Sequence, residues 1–287
     1  MDRLIVNFTP TGMIPRKQQT PYVPVSPQEI IEDVRQACQL GISMVHLHAR
    51  DQQSGQPAWE RSIYQEIISG IREFAPELVV CVSTSGRDFN ELEKRADVLS
   101  LEGCHKPDMA SLTLSSLNFN AQPSINAPET IQCLAAIMME QGIMAELEVF
   151  DSGMINYARY LIRKQLLKPP YYFNLILGNI ACAQADLLHI GILIRDLPED
   201  SLCSLGGVGY AQRTVNSLAI AMGFGVRVGL EDNIWFDNQR TKLATNLDLL
   251  ARIHDIARVH ERELMAPSEL RERLGLLPGH GQYGREV

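Results

Sequence analysis

The chain has 287 residues, 45% hydrophobic and 21% charged, an ordinary globular composition. Lys and Arg number 26 against 34 Asp and Glu, giving a formal charge of −8 with no basic run, which argues against nucleic acid or an anionic membrane as partner. No apolar run approaches the roughly 18 residues that span a bilayer. The opening MDRLIVNFTPTGMIPRK has neither the apolar length nor the small-residue cleavage site of a signal peptide. The six cysteines (Cys38, Cys81, Cys104, Cys133, Cys182, Cys203) are scattered, and without export signals they read as reduced thiols. The expected compartment is the cytoplasm.

In chain order, short apolar runs alternate with helical patterns. The first candidate strand is LIVNFTP (4–10). It is followed by SPQEIIEDVRQACQLG (26–41), where Ser26 can cap, Pro27 suits the first turn, Glu29 completes a capping box and Gly41 stops the helix. Further strands are SMVHLHAR (43–50), LVVCVSTS (78–85), MASLTLSS (109–116), MAELEVFD (144–151), YYFNLILG (171–178), LCSLGGVG (202–209) and VRVGLED (226–232). Several are nearly continuous Val, Ile and Leu, as strands buried on both faces require. APETIQCLAAIMMEQG and TKLATNLDLLARIHDIARVHE again show helical spacing. Eight strand-and-helix repeats predict an α/β fold, a (β/α)8 TIM barrel in one domain over 1–287, with a terminal helix and loose tail from about Pro267. A doubly wound open sheet uses the same alternation but normally needs fewer strands. The methionines Met13, Met109, Met138, Met139 and Met144 read as core packing.

A barrel keeps its chemistry at the C-terminal strand ends. The polar residues expected there are His46, His48, Ser83, Thr84, Ser85, Ser116, Asn118, Glu148, Asp151, Glu231 and Asp232. Side chains alternate along a strand, so His46 and His48 share a face, about 7 Å apart along the strand, and Arg50 shares their parity. A catalytic metal wants a third protein ligand and an open position. Glu231 is the best-placed carboxylate, because the last strand closes the barrel beside the first two and Arg227 and Glu231 share its inward parity. A His2Glu set is a common catalytic zinc site.

One histidine in a strand is ordinarily packed core. A pair at i and i+2, followed by Arg-Asp at the catalytic end, favours a metal. His105, His189, His254, His260 and His280 fall in loops or helices and read as ordinary surface residues. STSG (83–86, ending in Gly86) can donate hydroxyl and amide hydrogen bonds to a carboxylate, but no histidine adjoins it to make a serine nucleophile. GGVG (206–209) can cradle a phosphate or line a coenzyme channel, or simply be a turn.

VHLHARD, MASLTLSSLNF, ELEVFDSGM and VRVGLEDNIW together resemble the β-keto acid cleavage enzymes, whose known representative acts on 3-keto-5-aminohexanoate. The likeness runs from about residue 3 to residue 270, and the combination is specific. It implies a zinc-dependent (β/α)8 enzyme, a homo-oligomer (dimer or tetramer), that condenses a β-keto acid with acetyl-CoA to give acetoacetate and a new acyl-CoA. By the same resemblance His46, His48 and Glu231 match the zinc ligands, Asp232 the general base and Arg227 its partner. Ser83, Ser116 and Asn118 match substrate-holding positions. On this reading Arg227 lowers the pKa of Asp232 and keeps it ionised.

The chain departs from the pattern after its first strand. Where the aminohexanoate-cleaving member has a glutamate for the substrate's ammonium, TPTGMIPRK puts Ile14, with Met13 beside it. An apolar residue cannot neutralise a buried ammonium, so a neutral or apolar tail is expected, with Arg16 and Lys17 either meeting an anion or lying in a solvated loop. A zinc-dependent barrel hydrolase remains an alternative, as does a non-catalytic metal-binding barrel.

Overall fold

The computed structural model describes residues 2–284. Eight parallel strands close into a barrel: β1 (Val6–Phe8), β2 (Met44–Leu47), β3 (Val79–Val82), β4 (Met109–Thr113), β7 (Met144–Val149), β8 (Tyr171–Leu177), β9 (Ser201–Gly207) and β10 (Gly225–Val228). A small antiparallel hairpin, β5 (Leu117–Asn118) with β6 (Pro123–Ser124), interrupts the series after β4. The ring closes where Asn7 lies opposite Arg227 on one side and Met44 on the other. The expected strands are all present but mostly shorter, because the chain leaves the ladder to build the loops of the upper rim.

The helices are α1 (Pro27–Leu40), α2 (Arg61–Phe74), α3 (Leu92–Ala96), α4 (Pro128–Glu140), α5 (Ser152–Arg163), α6 (Leu187–Arg195), α7 (Ala211–Met222), α8 (Asn246–Val259) and α9 (Pro267–Leu274). The capping box read from Ser26 and Glu29 opens α1, and Thr245 with Asp248 forms a second at α8. Each satisfies backbone N–H groups that the first helical turn leaves without partners, worth about 1 kcal/mol. Among the described residues no helix is long and apolar enough to cross a membrane. All six cysteines are free thiols.

Strand alternation sorts the side chains into two layers. Val45, Leu47, Val80, Val82, Leu112, Leu147, Phe173 and Leu175 point outward and pack with the helices in the main core. Inside the barrel, Ile5, Met44, Val79, Met109, Met144 and Tyr172 form an apolar floor. Helix α9 closes that floor from below with Leu270 and Leu274, each fully buried and worth roughly 1.5–3 kcal/mol. The expectation of a loose tail therefore fails as far as Gly284. Arg271 of α9 binds both oxygens of buried Asp108, Tyr283 is buried under Arg72, and the Gly284 N–H donates to Asp108. Residues 285–287 of the expected tail lie outside the described residues. Of the methionines expected in the core, Met109, Met138 and Met144 are buried there, Met139 is half-buried, and Met13 faces the upper cavity instead.

Candidate metal centre and active site

Above the apolar floor the barrel interior turns polar. Inward parity gathers Asn7 (β1), His46 (β2), Glu146 (β7), Asn174 (β8) and Arg227 (β10) above it, with Cys81 (β3), Tyr172 (β8) and Ser204 (β9) reaching them from the floor, all buried. His46 Nε2 stands 3.2 Å from His48 Nε2, which is 3.1 Å from Glu231 Oε1. The three ligand atoms all lie within 4.8 Å of one another. A tetrahedral zinc with ligands at about 2.0 Å has edges of about 3.3 Å between them, so the spacing fits such an ion. Glu231 Oε2 is buried with no hydrogen-bond partner, leaving a second oxygen of the same carboxylate free toward a cation.

Strand parity alone does not deliver Glu231, because β10 ends at Val228. The chain turns sharply at Gly229, where a Cβ would stand 2.0 Å from the Thr9 carbonyl oxygen. Gly12, at φ +63°, lets the β1–α1 loop pass directly beside the Glu231 side chain. Without these two close approaches the carboxylate could not reach the histidines.

Electrostatics tie the group together. Burial would push His46 down, but the Glu146 and Glu231 carboxylates overcome it and lift it to about 9. Its Nδ1 pairs with Glu146 Oε2 at 2.6 Å, the arrangement that orients metal-bound imidazoles. A cation among the three ligand atoms would displace the imidazole's second proton, since only neutral histidine coordinates. His48 is lowered, chiefly by burial, against the pull of Glu231. Burial works to raise Glu231, yet Arg227 and the two histidines hold it well below the usual carboxylate range.

Arg227 donates through Nη2 to Glu231 at 2.7 Å and through Nε to Asp232 at 3.0 Å. The expectation that Arg227 lowers Asp232 is half the story. Burial is the larger effect, and the net result is a carboxyl raised to about 6. Glu231 beside it pushes the same way, while Arg227 pulls it down. Asp232 is thus a stronger base than a free aspartate and still ionised near neutral pH.

These groups open onto a cavity of about 550 Å3. His48, Ser83, Ser85, Glu148, Arg227, Glu231 and Asp232 line it. Four expected substrate-binding residues do not. Thr84 is buried, receiving a hydrogen bond from no ligand-facing group but donating its hydroxyl to the Ser111 carbonyl. Gly86 is wedged against the Ile125 carbonyl, Ser116 Oγ accepts from Asn126 N–H, and Asn118 sits exposed in β5 with its carbonyl bound to Asn179. Asp151 caps α5. Within GGVG only Val208 lines the cavity, and the Gly209 N–H donates to the Asp232 carbonyl rather than to a phosphate.

The first loop keeps the predicted departure. Met13 and Ile14 both line the cavity, whereas Arg16 bonds the Met13 carbonyl and Lys17 pairs with Glu29, so neither enters it. Arg50, which shares the histidines' strand parity, clamps the carbonyls of Gly12, Pro15 and Gly55. The sequence reading missed Glu146, Asn7 and Arg87. Glu146 was legible, since a charged residue at inward parity in MAELEV cannot be core without a partner.

A profile of the beta-keto acid cleavage enzymes matches residues 3–276. The chain belongs to that family. It is 32% identical over 279 residues to a 3-keto-5-aminohexanoate cleavage enzyme of Fusobacterium nucleatum, covering 96% of this chain and 99% of that one. It is 31% identical to a 3-oxoadipate:acetyl-CoA acetyltransferase of Cupriavidus necator, covering 95% and 94%. Among solved structures, apo ObcA superposes with a TM-score of 0.73 at 21% identity, over 89% of this chain. This chain spans 66% of that solved chain's length, and the likeness speaks for the fold.

Proposed function

We propose that the protein is a zinc-dependent acyltransferase that exchanges the acyl group of a β-keto acid with acetyl-CoA, giving acetoacetate and a new acyl-CoA. The observation that carries this reading is the convergence of His46, His48 and Glu231 beside the Arg227–Asp232 pair, at the floor of one cavity. Family membership and the acetyl-CoA named for the Cupriavidus relative support the co-substrate. His46, His48 and Glu231 would hold the ion, with Glu146 fixing the His46 tautomer. Zinc bound there supplies a Lewis acid for the carbonyl oxygens of the β-keto acid.

The chain's own residues do the rest. Asp232, held by Arg227, takes the proton from C2 of the β-keto acid. That carbon attacks the acetyl carbonyl and expels the CoA thiolate. The thiolate then adds to the C3 ketone and the C2–C3 bond breaks, leaving the new acyl-CoA. The released carbon retrieves its proton from Asp232 as acetoacetate forms. Ser83, Ser85 and Glu148 contact the substrate, while Met13, Phe119 and Phe150 keep bulk water away.

Ile14, 46% exposed and lining the cavity, sets the tail preference toward neutral or apolar groups and against ammonium. The test is a panel of β-keto acids with acetyl-CoA, following acetoacetate, alongside metal analysis of the purified protein. Apolar-tailed acids should outperform amino-substituted ones. Turnover without acetyl-CoA would favour hydrolysis, and a protein that takes up no zinc through these three residues would sink the reading.

A further inference from the structure

The loop that follows β3 presents its residues alternately. Ser83, Ser85 and Arg87 line the cavity, while Thr84 and Gly86 are turned into the protein. Ser83 Oγ accepts the Ser85 N–H at 3.2 Å, and Ser85 Oγ accepts the Arg87 N–H at 3.3 Å. Each hydroxyl oxygen is thus engaged by backbone, and each hydroxyl hydrogen is left to be donated to something in the cavity. The strip offers donors.

Arg87 ends that strip. Its guanidinium carbon stands over the Phe119 ring, 3.4 Å from the centroid, a cation–π contact that holds the side chain at the cavity wall. Among the described residues no oxygen is hydrogen-bonded to this guanidinium, although the side chain is half-buried. Arg95, close by, behaves oppositely: it donates to the Thr84 and Ile125 carbonyls and to Asn126, and is spent on holding the loop.

Charge makes the same point. The cavity is lined by Glu148, Glu231 and Asp232, and its other cation, Arg227, is committed to Glu231 and Asp232. Arg227 keeps only Nη1 unpartnered, whereas Arg87 is the cavity-lining cation whose whole guanidinium, among the described residues, has no hydrogen-bonded oxygen. The geometry points to Arg87, with the hydroxyls of Ser83 and Ser85, as the anchor for a carboxylate of the substrate. A planar guanidinium suits bidentate carboxylate binding, and it repels an ammonium-bearing tail. The inference builds on the β-keto acid reading. The carboxylate is either the one at C1, present in every such substrate, or a distal one in a β-keto diacid.

Equilibrium titration of the intact protein, without turnover, separates these cases. The probes are acetoacetate, its uncharged methyl ester, and 3-oxohexanedioate. Arg87→Gln should weaken acetoacetate about 10- to 100-fold, the range expected for a charged hydrogen-bonded pair, and leave the methyl ester unchanged. Arg87→Lys should recover part of the loss. A loss for the diacid alone would assign the distal carboxylate, and a loss for both the C1 carboxylate. Melting temperature and bound metal, followed in parallel, should stay at wild-type values. Unchanged affinity for both acids, or an equal loss for the ester, would overturn the assignment. Arg87-dependent carboxylate binding in a protein that performs no acyl exchange would sink the proposed function alone.

Discussion

The two ends of the barrel both bury charge, and they treat it in opposite ways. At the bottom, Asp108 accepts from Arg72, Arg271, Gly284 N–H and Val80 N–H, so both its oxygens are fully occupied. At the top, Glu231 Oε2, Arg227 Nη1, Asn7 Oδ1 and Asn174 Nδ2 are buried without partners. Leaving buried polar atoms unmatched costs about 1–3 kcal/mol each. The lower end uses its ions to fasten the last helix; the upper end carries open valences toward a cavity. A buried charge with every lone pair taken reads as structure, and one with lone pairs left over reads as a place for a ligand.

The largest effect that tests this contrast is at the top. Asp232→Asn should cut kcat with acetyl-CoA and a good β-keto acid by about 10²–10⁴, with little change in melting temperature. Turnover at the wild-type level would remove the upper end's claim to chemistry. At the bottom, Asp108→Ala strands two arginines and should cost about 3–5 kcal/mol in denaturant unfolding. Burial works to raise Asp108, but Arg72 and Arg271 outweigh it and lower its pKa. Its stabilisation is therefore present above the normal aspartate range near pH 4 and lost as acid protonates it, and Asp108→Asn should flatten that acid limb.

Glu146→Gln should weaken zinc about 10- to 100-fold in chelator competition, while folding is retained. An unchanged affinity would place Glu146 with the structural charges. The smallest effect lies at Asp33, which burial raises to about 6 despite a 2.6 Å hydrogen bond from Asn246. Here the sign is reversed relative to Asp108. The folded state holds the proton more tightly, so stability falls as pH rises from about 4 through 6. Asp33→Asn should stabilise by on the order of 1–2 kcal/mol at pH 7.5, after discounting for partial exposure, and by little at pH 4. Thermal melts at the two pH values measure the difference.

The barrel and the pairing of His46 with His48 were legible because they follow periods. Continuous β-branched runs gave the strands, and parity put His46 and His48 on one face. The rest was lost for physical reasons. Loop residues have no period, so Thr84, Ser116 and Asn118 looked like cavity residues by position while their hydrogen bonds turn them elsewhere. Arg87 carried no signal until Phe119, 32 residues later in the chain, was seen beneath it. Burial also reset the Asp232 pKa, which neighbouring charges alone would have placed too low.

Arg50 stands two residues after His48 and holds three carbonyls, two of them in the loop that carries Met13 and Ile14. The cavity wall that Met13 and Ile14 form is therefore fastened by its backbone, not by its side chains. Residues 13 and 14 can be exchanged while the loop path and the His46–His48–Glu231 cluster below stay in place. Under the proposed function, that makes substrate preference a separable module, open to drift or redesign one side chain at a time without reopening the chemistry.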